Sequence, residues 1–391
     1  MIINPRIRQN ICVNAHPVGC GAQVKAQIDY VKKRAKIEGP QKVLVVGASN
    51  GYGLAARIVS AFASDAATIG LALEKPGSGK RTATAGWYNM EAFKHEAQAA
   101  GLPAWNVNGD AFSADTKSEI MAIIKERLGT IDLLIYSIAA PRRVDPDTGE
   151  IYSSVIKPID QPFTARTVDF LTGNVSEVTA EPATQEEVAQ TVKVMGGEDW
   201  MMWIDQLLAN NLLDRGFQTI AFSYVGSDQT RPLYRDGTIG AAKKDLEQKA
   251  RDINTMLEAV DGSALISINK ALITRASAVI PAVPLYIALL YRIMKAKNLH
   301  EGCIQQIHRL YNDYLFGNDV IKLDARGRVR LDDWEMRPDV QNEVRKLWHQ
   351  VDQDNLGELA DIQGLREEFL RHHGFGMPGV DYSQDVEPDM Y

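Results

Sequence analysis

Short runs of β-prone apolar residues recur along the chain, separated by longer stretches whose apolar positions follow helical spacing. The runs fall at 43–46, 68–73, 104–107, 131–136, 218–224 and 264–269, and glycine, proline or polar residues bound each of them. Short runs dominated by apolar residues suit strands buried on both faces, and the stretches between them, such as 54–62, 117–128 and the one that begins near Ile239, suit amphipathic helices. Alternation at this rhythm predicts an α/β fold, a doubly wound parallel sheet with helices on both sides. Six strand ends should then share one rim, several of them tipped with glycine or polar residues.

The remaining segments do not follow that rhythm. At the N-terminus, 11–13 reads as a strand, Asn14 to Pro17 as a turn, Gly19 to Gly21 as a breaker, and 23–36 as a helix through Val24, Ile28 and Val31. From Asp145 to Thr184, the runs 155–159, 164–170 and 174–179 read as short strands with a hairpin turn at Thr172-Gly173, an insertion that would cover a sheet edge. A helix follows from Gln185 into WMMWIDQLLANNLL. Residues 279–391 read as a helical extension, with a hairpin in IKLDARGRVRL turning at Arg326-Gly327. The apolar run 279–294 is broken by Pro281 and Pro284 and carries Arg292, so it falls short of a membrane span. The tail from Gly374 reads as a surface-hugging or frayed end. One enlarged domain, 1–391, with the insertion at 145–184 and the extension at 279–391, accommodates all of these segments.

Composition narrows the class. A formal charge of −7 over 391 residues lacks the basic excess that a nucleic-acid surface needs. Cys12, Cys20 and Cys303, with no secretory leader, lead to the expectation of free thiols in a reducing cytoplasm. Cys12, His16 and Cys20 lack a fourth ligand at finger-like spacing, so packing is expected of them and no metal site is predicted. The basic cluster Lys32, Lys33, Arg34 and Lys36 suits a solvated helix end, with docking of an acidic partner as the alternative.

Candidate chemistry centres on 42–62, KVLVVGASNGYGLAARIVSAF. Gly47, Gly51 and Gly53 fall where the strand turns into the helix. Glycines there permit positive φ and close backbone approach, and the free N–H groups of the helix start face outward with the positive end of the macrodipole. Such a turn cradles a pyrophosphate, or simply packs a strand on a helix. The next run ends in Glu74, about 20 residues beyond the loop, where a dinucleotide fold places a carboxylate on the adenosine ribose. The spacing is G-x3-G-x-G, that of short-chain dehydrogenases and reductases. Farther along, Tyr234 and Lys243 are separated by eight residues, too far to share one helix face as a Y-x3-K pair does, so Tyr234 belongs to a loop and Lys243 to the helix after it. A phenol can donate to an oxygen that gains charge as hydride arrives elsewhere, and an ammonium nearby lowers the phenol pKa and holds a nicotinamide ribose. Setting the phenol outward suits a conjugated substrate whose carbonyl lies away from the carbon receiving hydride.

Together NAHPVGC, GASNGYG, AGWYN, YSIAAPRR, VMGGEDW, GTIGAAKKDLE and NKALITRASAVIP resemble the FabV-type enoyl-acyl-carrier-protein reductases and the related trans-2-enoyl-CoA reductases, over essentially the whole chain. The Y-x8-K spacing is specific to that group. The resemblance implies NADH-dependent reduction of the double bond of a trans-2-enoyl thioester on acyl-carrier protein or CoA, in fatty acid synthesis, by a cytoplasmic monomer. It implies that Gly47, Ala48, Ser49, Asn50, Gly51 and Tyr52 cradle the pyrophosphate and that Leu73 and Glu74 hold the adenosine ribose, Glu74 repelling a 2′-phosphate. Asp110 and Ala111 would border the adenine, Ile138 and Ala139 the nicotinamide-side ribose, and Leu272, Ile273 and Thr274 the nicotinamide. Tyr224 would bind the thioester, Tyr234 would be the proton donor or oxyanion partner, and Lys243 would anchor the cofactor, with Lys244 as the alternative amine. Asp110 and Thr274 could equally cap turns, and Tyr224 could simply pack. A 3-ketoacyl reductase and a non-catalytic NADH sensor are the rival functions. An acidic carrier protein would need a basic patch, with Arg142, Arg143 or the 32–36 cluster as candidates.

Overall fold

A computed structural model of the chain describes residues 1–8, 11–317 and 320–390. Seven parallel strands form the central sheet: β1 (Lys42–Val46), β2 (Ala67–Ala72), β3 (Ala104–Asn108), β4 (Ile131–Tyr136), β5 (Leu213–Ser223), β6 (Ser263–Ile268) and β7 (Arg328–Arg330). Their order is β7-β6-β5-β4-β1-β2-β3, so the winding reverses between β1 and β4 and a crevice opens there at the carboxyl ends. The register sets Val46 beside both Leu71 and Tyr136, which brings the ends of β1, β2 and β4 level.

Side-chain alternation explains why the strands read as continuous apolar runs. Val43 and Val45 face a core layer shared with α1 (Pro17–Lys32), α2 (Gly51–Ser64) and α3 (Ala85–Ala99). Leu44 and Val46 face the opposite layer, built from α4 (Ala114–Arg127), α6 (Glu198–Ala209) and α7 (Thr238–Leu257). Between α4 and α6 in the chain, α5 (Gln185–Met195) starts at a Thr184–Glu187 capping box. A third core lies beyond the sheet, where α8 (Val283–Ala296) is wrapped by α10 (Pro338–Gln350), α11 (Leu356–Leu359) and α12 (Ile362–Arg371). The short helix α9 (Cys303–Arg309) and its π-turn pack on α2 instead. Among the described residues, no helix is long and apolar enough to cross a membrane.

Several expectations change. The helix α1 begins at Pro17 and ends at Lys32, with Gly19 and Gly21 inside it; His16 caps it, its Nδ1 accepting from the Gly19 N–H at 3.1 Å. Gly19 is glycine for a tertiary reason, because a Cβ there would overlap the carbonyl of Gly374. The tail is accordingly no frayed end: Phe375 and Met377 are buried, the Tyr382 hydroxyl donates to Gly374 O at 3.0 Å, and Tyr88 donates to Pro388 O. In the insertion, 155–159 forms no strand beyond one bridge from Pro158 to Gly237, and an unexpected hairpin pairs 142–144 with 151–153. The 163–169/174–180 hairpin turns at Gly173 as expected, but it pairs with neither edge strand and packs on α8. The segment read as a hairpin at Arg326-Gly327 instead supplies β7, parallel to β6.

The basic cluster lies at the wrong end of the sheet to serve the crevice. Ile37 N bonds Ala63 O, and Lys36 pairs at 2.5 Å with Asp65, the residue that ends α2 just before β2 begins. Arg143 is likewise unavailable, buried and paired with Glu198 at 2.7 Å. Arg142 remains exposed. Cys12 and Cys20 are buried free thiols, and among the described residues no group of three or more His, Cys, Asp or Glu could hold a metal ion.

The Gly19 contact gives a test of the tail's place. Helix propensity alone favours alanine over glycine by about 1 kcal/mol, but a Cβ against a main-chain carbonyl has no rotamer to escape into. Gly19→Ala should therefore destabilise the chain by roughly 1–3 kcal/mol in denaturant unfolding, and a stabilised variant would exclude this packing.

Candidate active site

At the end of β1 the chain turns through Gly47, held at φ +90. The N–H groups of Gly47 and Ala48 both donate to Leu71 O at 2.9 Å, and Ser137 N donates to Val46 O at 2.8 Å, so the ends of β1, β2 and β4 are tied together. A Cβ on Gly47 would strike Ser137 O, which is why only glycine fits. Asn50 then starts α2 in extended geometry with no side-chain cap. Its amide is engaged elsewhere: Oδ1 accepts from Asn89 Nδ2 at 3.0 Å, and Nδ2 donates to Ser49 Oγ at 3.1 Å. The first turn of α2 thus offers its N–H groups and positive dipole end to whatever occupies the crevice. Gly51 faces space there, with Thr274 Cγ2 3.9 Å from the position of a Cβ.

Glu74, at the end of β2, turns back beneath this cradle. Its Oε1 accepts from Ser49 Oγ at 2.8 Å and pairs with Arg275 at 3.1 Å, while Leu73 beside it is 69% exposed at the rim. Asp110 Oδ1 accepts from Phe112 N at 3.0 Å and so closes a turn. Ala111 O is held by Lys117 Nζ at 2.7 Å; that ammonium pairs with buried Asp199, which also accepts from the Tyr136 hydroxyl at 3.0 Å. Ile138 lies next to Gly47, and Ala139 is exposed at the rim. The Tyr52 side chain leaves the cradle: its hydroxyl donates to Lys270 O at 2.8 Å and its ring packs on Phe222, leaving only its main chain in the first turn of α2.

Opposite the cradle, the loop after β6 is fixed at several points. Ile273 N donates to the Tyr291 hydroxyl at 3.1 Å, Ile273 O lies 2.8 Å from His372 Nε2, and Thr274 and Ser277 cap each other's turn. Leu272 and Ile273 are buried.

Tyr224, just past β5, and Tyr234, in the following loop, meet edge to face with ring centroids 4.9 Å apart at 90°. The Tyr224 hydroxyl donates to Glu335 at 3.2 Å. The Tyr234 hydroxyl has no hydrogen-bond partner among the described residues; burial, and secondarily the charge of Glu335, push its pKa up, so the phenol stays protonated. Gly240, in the first turn of α7, fits under the carbonyls of Tyr234 and Arg235, and Lys243 follows it one turn along the same face. This is how a loop tyrosine and a helix lysine with eight residues between them in sequence come to share one end of α7. Lys243 has no ion-pair partner among the described residues, and loss of hydration lowers its pKa to about 8. Lys244 is exposed. An ammonium without an ion pair, a phenol hydroxyl without a hydrogen bond and an uncapped helix start are groups of the kind that a dinucleotide and a developing oxyanion call for.

Residues 81–316 match the family model described as the trans-2-enoyl-CoA reductase catalytic region, and residues 2–79 match that of the NAD(P)H binding domain of trans-2-enoyl-CoA reductase. The chain belongs to the trans-2-enoyl-CoA reductase family. Two relatives in this family span nearly its whole length. An enoyl-[acyl-carrier-protein] reductase [NADH] of Coxiella burnetii is 53% identical, covering 99% of this chain and 96% of its own. A trans-2-enoyl-CoA reductase [NADH] of Ruminiclostridium cellulolyticum is 52% identical, covering 99% and 98%. The crystal structure of Treponema denticola trans-2-enoyl-CoA reductase in complex with NAD superposes with a TM-score of 0.96 at 48% identity, covering 99% of this chain and 98% of that one.

Residues 323–386 match a third model, described as an enoyl reductase FAD binding domain. In this reductase the region comprises β7, α10 to α12 and the tail. The turn after β7 has no glycine and carries Asp332, Asp333 and Glu335, which would repel a pyrophosphate. These residues do not fit a flavin dinucleotide, and no step is assigned to one.

Asn89, Arg275 and Glu335 are the site residues that sequence reasoning missed. Asn89 and Arg275 lie within AGWYN and NKALITRASAVIP, so those motifs marked their neighbourhoods; Glu335 lies in no motif. The lowered pKa of Lys243 can be checked directly. Its acylation by acetic anhydride, followed by mass spectrometry, should rise with pH about a midpoint near 8, against the ordinary lysine value of about 10.4. A midpoint at the ordinary value would mean that the amine is hydrated or paired.

Proposed function

We propose that this chain reduces the carbon–carbon double bond of trans-2-enoyl thioesters with NADH. The observation that carries the reading is the full-length identity of 52–53% to reductases named for this reaction, and a Tyr234 hydroxyl and a Lys243 ammonium left without side-chain partners among the described residues support it. The cradle residues 47–52 fit the pyrophosphate, with the open face at Gly51 and the uncapped start of α2 supporting that fit. When bound, NADH supplies hydride to Cβ of the enoyl group.

The chain's own groups do the rest. Tyr234 donates its hydrogen bond to the thioester oxygen, where negative charge collects as Cβ is reduced, and its raised pKa keeps that proton in place until the enolate forms. Proton delivery to Cα, directly or through water, completes the saturated thioester. Lys243 holds the nicotinamide ribose and adds positive potential to the oxyanion side. Leu272, Ile273 and Thr274 border the nicotinamide on a loop too well anchored to drift. Ala111, fixed by Lys117, borders the adenine together with Asp110. Glu74 and Leu73 hold the adenosine ribose; the Glu74 charge disfavours a 2′-phosphate, with Arg275 as its counter-ion.

We also read the chain as one enlarged unit, monomeric and cytoplasmic. Its three free cysteines suit a reducing compartment. Relatives carry both carrier-protein and CoA names, so either thioester is a substrate on this reading. Steady-state rates on matched pairs of several chain lengths rank the carriers, and light scattering reads the oligomeric state.

Oxidation of NADH with crotonyl-CoA but not acetoacetyl-CoA is the expected outcome, and the reverse preference would make the chain a ketoacyl reductase. Tyr234→Phe should lower kcat roughly 10²–10³-fold, about 2.7–4 kcal/mol in the barrier, with NADH affinity retained; near-normal turnover would exclude Tyr234 as the donor. Lys243 is charged below its pKa of about 8 and neutral above it. NADH affinity, read by fluorescence titration, should therefore weaken as pH rises through about 8, and Lys243→Met should flatten that dependence.

A further inference from the structure

Glu335 follows β7 in the turn that leads to α10, and its side chain is fully buried. Among the described residues it has no ion-pair partner; the nearby ammonium of Lys270 is turned to Ala271 O at 2.9 Å. A buried carboxylate without a salt bridge is costly, and a fold retains it only where hydrogen bonds offset the loss of hydration. Three donors converge here. Oε2 accepts from Ala271 N at 2.7 Å, and Oε1 accepts from the Tyr286 hydroxyl at 2.6 Å and the Tyr224 hydroxyl at 3.2 Å. Gln341 braces the group, donating to Tyr286 Oη at 3.2 Å and to Glu335 O at 2.8 Å. A glutamine has one acceptor oxygen, so it could accept from Ala271 N or from the two phenols but not from both; a carboxylate, with an acceptor oxygen on each side, serves all three donors.

The tethered phenol has a neighbour without a tether. The Tyr234 hydroxyl has no hydrogen bond among the described residues, so its ring is oriented by packing, and the Tyr224 ring forms the wall against which it stands. Gly226, at φ +81, brings the loop back so tightly that a Cβ would lie 3.1 Å from Tyr234 Cβ and 3.6 Å from Tyr224 Cε1, and Arg235 locks this bend by donating to Gly226 O at 3.0 Å. With its one O–H proton given to Glu335, Tyr224 keeps its ring against Tyr234.

We propose that Glu335, supplied by the C-terminal extension, is a positioning residue for the reduction: it fixes the Tyr224 hydroxyl, and the Tyr224 ring fixes the angle at which Tyr234 meets the thioester oxygen. This rests on the assignment of Tyr234 as donor. The rim is then completed from two remote parts of the chain, β5 with its following loop and the segment after β7.

The test uses the full chain with crotonyl-CoA and NADH. Glu335→Gln keeps the side-chain volume and one acceptor oxygen; kcat should fall about tenfold while the KM for NADH stays within twofold. Tyr224→Phe, which leaves the buried carboxylate alone, should lose kcat to the same extent. Glu335→Gln added to Tyr224→Phe should then change kcat by less than twofold. Full kcat in Tyr224→Phe, or equal losses from Glu335→Gln in both backgrounds, would overturn the proposal. A readout free of turnover separates this from the function itself: fluorotyrosine at position 234 should give one sharp fluorine resonance in the parent chain and a broadened or split one in both single variants. An unchanged resonance in the variants overturns the positioning role even if the chain reduces enoyl thioesters, and a broadened one supports it even if the parent chain turns over no enoyl substrate.

Discussion

Main chain packed on main chain at the junction of β1, β2 and β4 is the constraint from which the rest of the site follows. Gly47 bonds Leu71 on one side and abuts Ser137 on the other, so the three strand ends cannot spread. Only with those ends held together does the reversal in strand order leave a crevice of fixed width, and only then does α2 start at its mouth. The backbone N–H groups aimed into that mouth need no side chain to hold them in place.

Around this fixed half, the opposing half is assembled from loops, and loops need anchors. The segment after β6 is pinned by Tyr291 and His372, which belong to α8 and the residue that ends α12. The segment after β5 is pinned by Glu335. All three anchors lie in or beyond α8, in the third core. The C-terminal extension is therefore best understood as scaffolding for the two loops that carry the proposed site residues, and the insertion hairpin packed on α8 adds to the same scaffold.

The core strands were legible because burial on both faces writes a short run dominated by apolar residues. β7 was not, because Arg-Val-Arg offers one apolar residue and is held by ion pairs from Arg328 to Glu247 and Asp324, each at 2.8 Å, which no hydrophobic pattern records. Glycines in α1 were misread as a breaker because a glycine required by a distant carbonyl looks like a glycine required by a turn. At the site, the unusual spacing of Tyr234 and Lys243 was visible, as was the glycine turn. Glu335, Arg275 and Asn89 acquire their meaning from partners far away in sequence, so nothing local distinguishes them from surface polar residues. The two arginines considered for docking show the converse: adjacent and alike in sequence, Arg142 is exposed and Arg143 is buried on Glu198.

Gly374 sits at φ +77, and a Cβ on it would press on the main chain of His16 and Cys20, just as one on Gly19 would press on Gly374. Because both surfaces in this contact are backbone, a larger residue at either position cannot be relieved by a smaller one at the other. Ordinary compensatory drift is closed to this pair. A change at either position has to be absorbed by moving main chain, so the first helix and the tail are locked to each other.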